Sequence, residues 1–235
     1  DYMHGLALVN RLDTTCRAYL GKYLTQSRNQ GNIKNALQKL AWSYLIVGDT
    51  AGYKKYMGLV LQRGNTETDA DKQAQKEAES GIVPEVSLLK ARLLFDGGYF
   101  EKAMQILQDK TPADYTTKAL QLELVYRKGR IYDAMGKQTE AIANYKETIA
   151  LGEKEPLYFA ANAALNLGAI TTSGTQTYSG NVSLAKAVSL TTTNSNIGIT
   201  GTLNGGSDFT ATVGTANVTL TGAVGGSTPL GAVLL

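Results

Sequence analysis

Cysteine and histidine are almost missing from this sequence: Cys16 and His4 are the only ones. A lone cysteine excludes a disulfide within the chain, and one of each residue excludes the His/Cys clusters that hold zinc. No run of eighteen apolar residues occurs, which leaves no candidate for a membrane-spanning helix. Charge of one sign is also scarce. The net charge is +3, and basic residues alternate with acidic ones instead of forming the stripe that binds nucleic acid. Catalytic signatures are missing too. The Gly-Lys pair in "AMGKQT" (134–139) lacks both the earlier glycine and the following Ser or Thr of a phosphate loop, and no G-x-S-x-G elbow is found. Asp69 and Asp71 do not have calcium-loop spacing, and solvation is their expected role. No catalytic residue, metal ligand or cofactor is therefore assigned, and the expectation is a protein without enzymatic activity.

The most informative shortage is local. Residues 171–235 contain two charged side chains, Lys186 and Asp208, whereas residues 1–170 carry the other 41 of the chain's 43. Two such compositions imply two domains, 1–170 and 171–235. The chain opens on Asp1 without a basic and then apolar leader, which fits either a removed signal peptide or an internal fragment.

In the first part, Leu37, Leu40, Ala41, Tyr44 and Leu45 follow helical spacing and predict one apolar stripe. Gly48-Asp49 interrupts it, and a second stripe runs through Tyr53, Tyr56, Met57 and Val60. The two-helix design recurs, with close-packing positions twelve residues apart at Ala7/Tyr19, Ala41/Tyr53, Ala91/Ala103 and Gly129/Ala141. Two helices per unit at this period predict an α-α solenoid. Between Gly64 and Gly81 lies an extra charged segment, "TDADKQAQKEAES", whose Ala70, Ala74 and Ala78 predict a solvated helix inserted between units.

The unit "LELVYRKGRIYDAMGKQTEAIANYKETIALGEKE" (122–155) resembles a tetratricopeptide repeat through Gly129, Tyr132, Gly136, Ala141 and Tyr145. Residues 84–110 keep Ala91, Leu94, Gly98, Ala103 and Leu107, and "KARLLFDGGYFEKA" is similar to bacterial proteins of that kind. The resemblance implies a superhelix that binds a protein or peptide on a concave face lined by Trp42, Leu88, Arg92, Tyr126, Arg130 and Asn162. Trp42 and Leu88 have packing against the neighbouring repeat as their alternative role, and Arg92 and Arg130 have surface ion pairs. Two arginines at equivalent positions favour an acidic or C-terminal carboxylate peptide.

The second part repeats at 21 residues. Gly180, Gly201 and Gly222 fall in one column, Tyr178, Ile199 and Leu220 in another, and Val188, Phe209 and Leu230 in a third. Short alternating runs between Gly/Asn turns predict strands, and the period predicts the coils of a short β-helix, or β-solenoid. The motifs "GTQTYSGNVSL", "ITGTLNGG" and "LTGAVGGSTPL" resemble the repeat regions of filamentous-haemagglutinin-like exoproteins. That resemblance implies an adhesin-like stalk and favours a bacterial cell envelope or secreted location, with a cytoplasmic one as the alternative. The sequons at Asn181 and Asn217 are ascribed to turn composition, with glycosylation as the lesser reading.

The function expected is a protein-protein interaction scaffold, with an extracellular structural or adhesin fragment as the competing reading. A further expectation concerns "LGAI" (167–170), where the two patterns meet without a linker. Gly168 takes the place of Gly129 in its unit, so a helix should continue there; its interruption predicts a chimera of two unrelated fragments. Packing of Tyr158, Leu165 or Leu167 on Tyr178 and Val182 would argue for one natural protein instead.

Overall fold

In a computed structural model the chain forms two compact units, residues 1–141 and 142–235. The structure describes residues 1–27, 31–152, 159, 163, 166 and 168–235. The fold is α followed by β: helical hairpins, then a parallel β-solenoid of about three turns.

The helices are α1 (Tyr2–Val9), α2 (Cys16–Gln26), α3 (Ile33–Leu45), α4 (Thr50–Gln62), α5 (Asp69–Ser80), α6 (Val86–Asp96), α7 (Phe100–Leu107), α8 (Lys118–Ala134) and α9 (Gln138–Gly152). Within the first unit, α1 packs on α2, α3 on α4, and α6 on α7. Gly48, Gly98 and Gly136 stand between the helices of successive pairs with φ of +86°, +79° and +72°, a left-handed turn that a side chain would strain. Ala41, Ala91 and Ala103 are fully buried, and Tyr53 is nearly so, as the twelve-residue spacing predicts.

The first hairpin departs from that spacing. Ala7 is exposed, whereas Gly5 is buried, and a Cβ at Gly5 would lie 2.6 Å from Leu20 Cδ2. Residues 5 and 7 are about 200° apart around a helix, so α1 turns the opposite face to its partner. Tyr19 instead stacks on His4, with ring centroids 4.1 Å apart.

The inserted helix α5 also differs from expectation, because it packs against both α3 and α4 instead of standing in solvent. Asp71 is fully buried. Its carboxylate accepts from the backbone N–H of Asn32 (2.7 Å) and Asn35 (3.0 Å) and from the Thr68 hydroxyl (2.6 Å). Asn32 makes no side-chain cap of its own, so a residue of α5 satisfies the free N–H groups at the start of α3.

In the second unit the strands are β1 (Ala169–Thr172), β2 (Gln176–Tyr178), β3 (Val182–Ser183), β4 (Val188–Thr192), β5 (Ile197–Ile199), β6 (Leu203–Asn204), β7 (Phe209–Thr212), β8 (Val218–Leu220) and β9 (Val233–Leu234). They form three parallel sheets in the orders β1-β4-β7-β9, β2-β5-β8 and β3-β6. Tyr178, Ile199 and Leu220 pair in register, as the 21-residue period predicts. The third column is corrected. Phe209 pairs with Val233 and not Leu230, because the last coil holds three more residues between Val224 and Val233 than its predecessor holds between Leu203 and Phe209. Asn204 supports that longer turn by accepting from Ser227 N–H at 2.9 Å.

Where the coils stack, asparagine side chains reach one turn onward. Asn181, Asn194 and Asn196 accept through Oδ1 from the backbone N–H of Thr202, Thr215 and Asn217, at 3.0, 3.1 and 3.0 Å. These amides satisfy corner N–H groups that no strand partner reaches. Inside the first coil, Gln176 stands beneath Ile197 and donates to the carbonyls of Ile170 (3.3 Å) and Thr191 (2.9 Å), while Tyr178 donates to its Oε1 at 3.0 Å. A polar pair thus occupies the end of two otherwise apolar columns, Ile197 with Val218 and Ile199 with Leu220.

Gly168 is not helical. Its φ is +70°, a Cβ there would lie 2.2 Å from Ala187 O, and its carbonyl accepts from Ser189 N–H at 2.6 Å. The expected continuation of the helix is therefore replaced by a glycine turn that opens the first parallel ladder. Tyr158, Leu165 and Leu167 lie outside the described residues.

Candidate functional site

The residues that resemblance assigns to a concave face fall on α3, α6 and α8 of the first unit, apart from Asn162, which lies outside the described residues. Trp42 on α3 has no exposed surface. Its indole N–H donates to Glu77 of α5 at 2.7 Å, and the other oxygen of that carboxylate accepts from Gln38 at 2.7 Å. Lys39 Nζ stands 3.8 Å from the Trp42 ring centroid, and Arg92 Cζ 5.1 Å from it. The indole is thus enclosed by in-chain groups, and helix α5 covers the part of α3 that was expected to meet a ligand. Burial of Lys39, with Arg92 beside it, pushes its ammonium down to about 7, against the opposing pull of Asp96 and Glu77. Burial also pushes the Tyr53 phenol up, and the nearby Glu77 carboxylate adds to this.

Leu88 is likewise buried, packed in a core that includes Ala91, Leu94, Ala103, Leu107 and Leu124. Arg92 remains half-exposed, with Nε 3.8 Å from the Asp96 carboxylate one turn on, a surface ion pair of the kind anticipated for it. A pair with this exposure contributes little to stability, about 0–1 kcal/mol.

Arg130 has a different setting. It reaches from α8 to α6 and places its guanidinium 4.3 Å from the Phe95 ring centroid. No carboxylate pairs with it among the described residues, whereas its neighbour Arg127 is held by Glu123. Ala91, Phe95, Arg127, Arg130 and Ile131 line a shallow depression between the two helices. Tyr126, one turn before Arg130, is half-buried. The arrangement presents a flat cation, oriented by an aromatic face, beside an apolar floor. A guanidinium held in this way keeps its N–H edges free for a planar carboxylate.

The sequence marked Arg92 and Arg130, read Asp71 as solvated where it is buried, and missed Phe95 and Glu77. Phe95 had a legible signal, three residues beyond Arg92 on the same helical face. Among the described residues no group of three or more His, Cys, Asp or Glu side chains converges on a metal-sized site, and no helix is long and apolar enough to cross a membrane. No family model matches the chain, and a search of curated proteins finds no match to it either.

Proposed function

We propose that the helical unit is a non-enzymatic interaction scaffold that takes an acidic peptide segment across α6 and α8, with Arg130 as its principal anchor. The observation that carries this reading is Arg130 itself, stacked on Phe95 with no carboxylate partner among the described residues. Its charge-assisted, bidentate bonds are the stronger kind, and the surrounding depression supplies apolar contact to the peptide backbone and stems. Arg92 has the lesser role, because Asp96 already holds part of its charge. The family assignment of tetratricopeptide type, and with it binding of a protein or peptide, rests on the motifs and the hairpin architecture.

Fluorescence anisotropy of a labelled octa-glutamate peptide with the full chain tests the reading. Saturable binding that weakens with salt is expected, and Arg130→Glu should lower affinity at least tenfold while Arg92→Glu lowers it less. Equal affinity of the Arg130→Glu protein, or equal binding of octa-lysine, would remove the proposal. A second reading, an extracellular structural or adhesive segment of the filamentous-haemagglutinin-like kind, is favoured by one observation, the in-register stacking of parallel coils.

A further inference from the structure

A cleft of about 140 Å³ lies where the α1–α2 turn meets the α6–α7 turn, and it shares no lining residue with the α6–α8 depression. Arg11, Asp13, Leu94, Tyr99 and Lys102 line it. Backbone bonds fix both turns. The N–H groups of Arg11 and Asp13 donate to Leu8 O, each at 3.0 Å, and that of Leu12 to Val9 O at 2.9 Å. On the other side Gly98 donates to Phe95 O at 2.9 Å and Tyr99 to Leu94 O at 2.8 Å. The turns also touch, since a Cβ at Gly97 would lie 3.0 Å from Asn10 O. Leu12 has a φ of +60°, the left-handed region that Gly48, Gly98 and Gly136 occupy in the other hairpins. A leucine holds that conformation where packing enforces it, and Leu12 packs against both core clusters of the helical unit. With Leu12 anchored, its sequence neighbours Arg11 and Asp13 are both held at the cleft.

Three charges line the cleft, two positive and one negative. Arg11 and Lys102 are exposed and form no ion pair among the described residues, either with Asp13 or with another carboxylate. Asp13 Oδ1 accepts from the Thr15 N–H at 2.9 Å and the Thr15 hydroxyl at 2.7 Å. These neutral donors leave its negative charge in place and, with Arg11 nearby, hold the carboxyl below the usual carboxylate range. A bare anion such as phosphate would therefore meet Asp13, and a bare cation would meet two positive groups. A molecule with two carboxylates and one ammonium matches the lining charge for charge. The fork of Arg11 suits one carboxylate, the ammonium of Lys102 the other, and Asp13 the ligand's ammonium. Buried Leu94 supplies an apolar surface for the methylenes between them. The volume lies below the roughly 300–1,000 Å³ of drug-sized sites, which suits a single amino acid.

We propose that this cleft binds a free acidic amino acid, L-glutamate or L-aspartate, with Arg11 and Lys102 on its two carboxylates and Asp13 on its ammonium group. The site is independent of the α6–α8 reading and would operate with or without it.

The test is a chemical-shift titration of nitrogen-15-labelled full-length chain with L-glutamate, L-aspartate, N-acetyl-L-glutamate, L-glutamine, L-lysine and inorganic phosphate. Glutamate or aspartate should give saturable shifts of the Leu12, Asp13, Tyr99 and Lys102 amides. N-acetyl-L-glutamate lacks the ammonium and L-glutamine the second carboxylate, so each should bind weaker by roughly tenfold or more. Arg11→Gln and Lys102→Gln should each weaken glutamate binding by a similar factor. Asp13→Asn keeps an oxygen for the Thr15 bonds, so it should fold normally and erase the preference for glutamate over its N-acetyl form. Absence of saturable shifts at these amides with both acidic amino acids overturns the proposal. Equal binding of N-acetyl-L-glutamate or phosphate overturns it too, by showing a plain anion site, as does equal binding of lysine. Arg130→Glu should leave the shifts intact; if it abolishes them while Asp13→Asn changes nothing, the ligand sits on α6–α8, and the cleft proposal fails while that reading stands.

Discussion

At Gly201 a side-chain methyl would lie 2.3 Å from the Gly180 carbonyl oxygen, and Gly222 stands in the same relation to Gly201. Neither glycine is needed for a left-handed backbone; the column exists because the chain of one coil passes directly over the carbonyl of the last. Gly201→Ala should therefore force the coils apart and destabilise the second unit by about 1–3 kcal/mol. Gly206→Ala, with nothing within 4 Å, should change stability by less than about 0.5 kcal/mol. Amide hydrogen exchange at Ile199 and Leu203 distinguishes the two: protection should fall in the first variant and hold in the second. The glycine column was legible from sequence because repetition at 21 residues exposes it. The displacement of Leu230 by Val233 was not, since both residues are apolar and only the length of a turn decides between them.

Among the elements, α5 shows most clearly what sequence reading misses. Its charged residues follow the pattern of a solvated face, yet Asp71 and Glu77 bond to groups 35 to 39 positions earlier in the chain. Nothing local reveals such a partner. By contrast, the stripes of α3 and α4 were legible because each helix covers its immediate neighbour. Other helix ends are satisfied from a distance in the same way: Lys34 donates to Val60 O at 2.6 Å, Arg63 to Leu24 O at 3.0 Å, and Lys128 to Gln108 O at 3.2 Å. A cation at the last carbonyls of a helix also complements its dipole. Asp71→Ala strands the N–H groups of Asn32 and Asn35 and should cost about 2–3 kcal/mol. Trp42, the only tryptophan, reports on this directly. Urea unfolding followed by its fluorescence should show a lower midpoint, and a native spectrum shifted to the red if α5 detaches. An unchanged midpoint would mean that water or Thr68 replaces the carboxylate without loss. At the candidate site, the arginines were legible from their equivalent places in successive repeats, while the covering of Trp42 was not, because it depends on the same long-range contacts.

For the molecule as a whole, the two compositions correspond to two ways of holding a chain together. The helical unit buries apolar side chains in broad clusters, such as the one joining Leu20, Leu37, Trp42, Val60 and Leu93. The coiled unit has a thin core, with Leu190, Ile197, Ile199, Leu203 and Phe209 at its centre, and depends on bonds from each turn to the next. Those bonds, the asparagine amides included, run along the direction in which the coils stack. Tension applied to the chain beyond Leu220 would load them one rung at a time, so the coils should come away in sequence, as a zip opens. Each intact turn of 21 residues would release roughly 70 Å of chain. Optical-tweezer extension should record a short series of such steps at low force, whereas a single abrupt rupture of the coiled unit would show that its turns share their load. Such a series would make the coil an extensible tether, lengthening by one turn at a time.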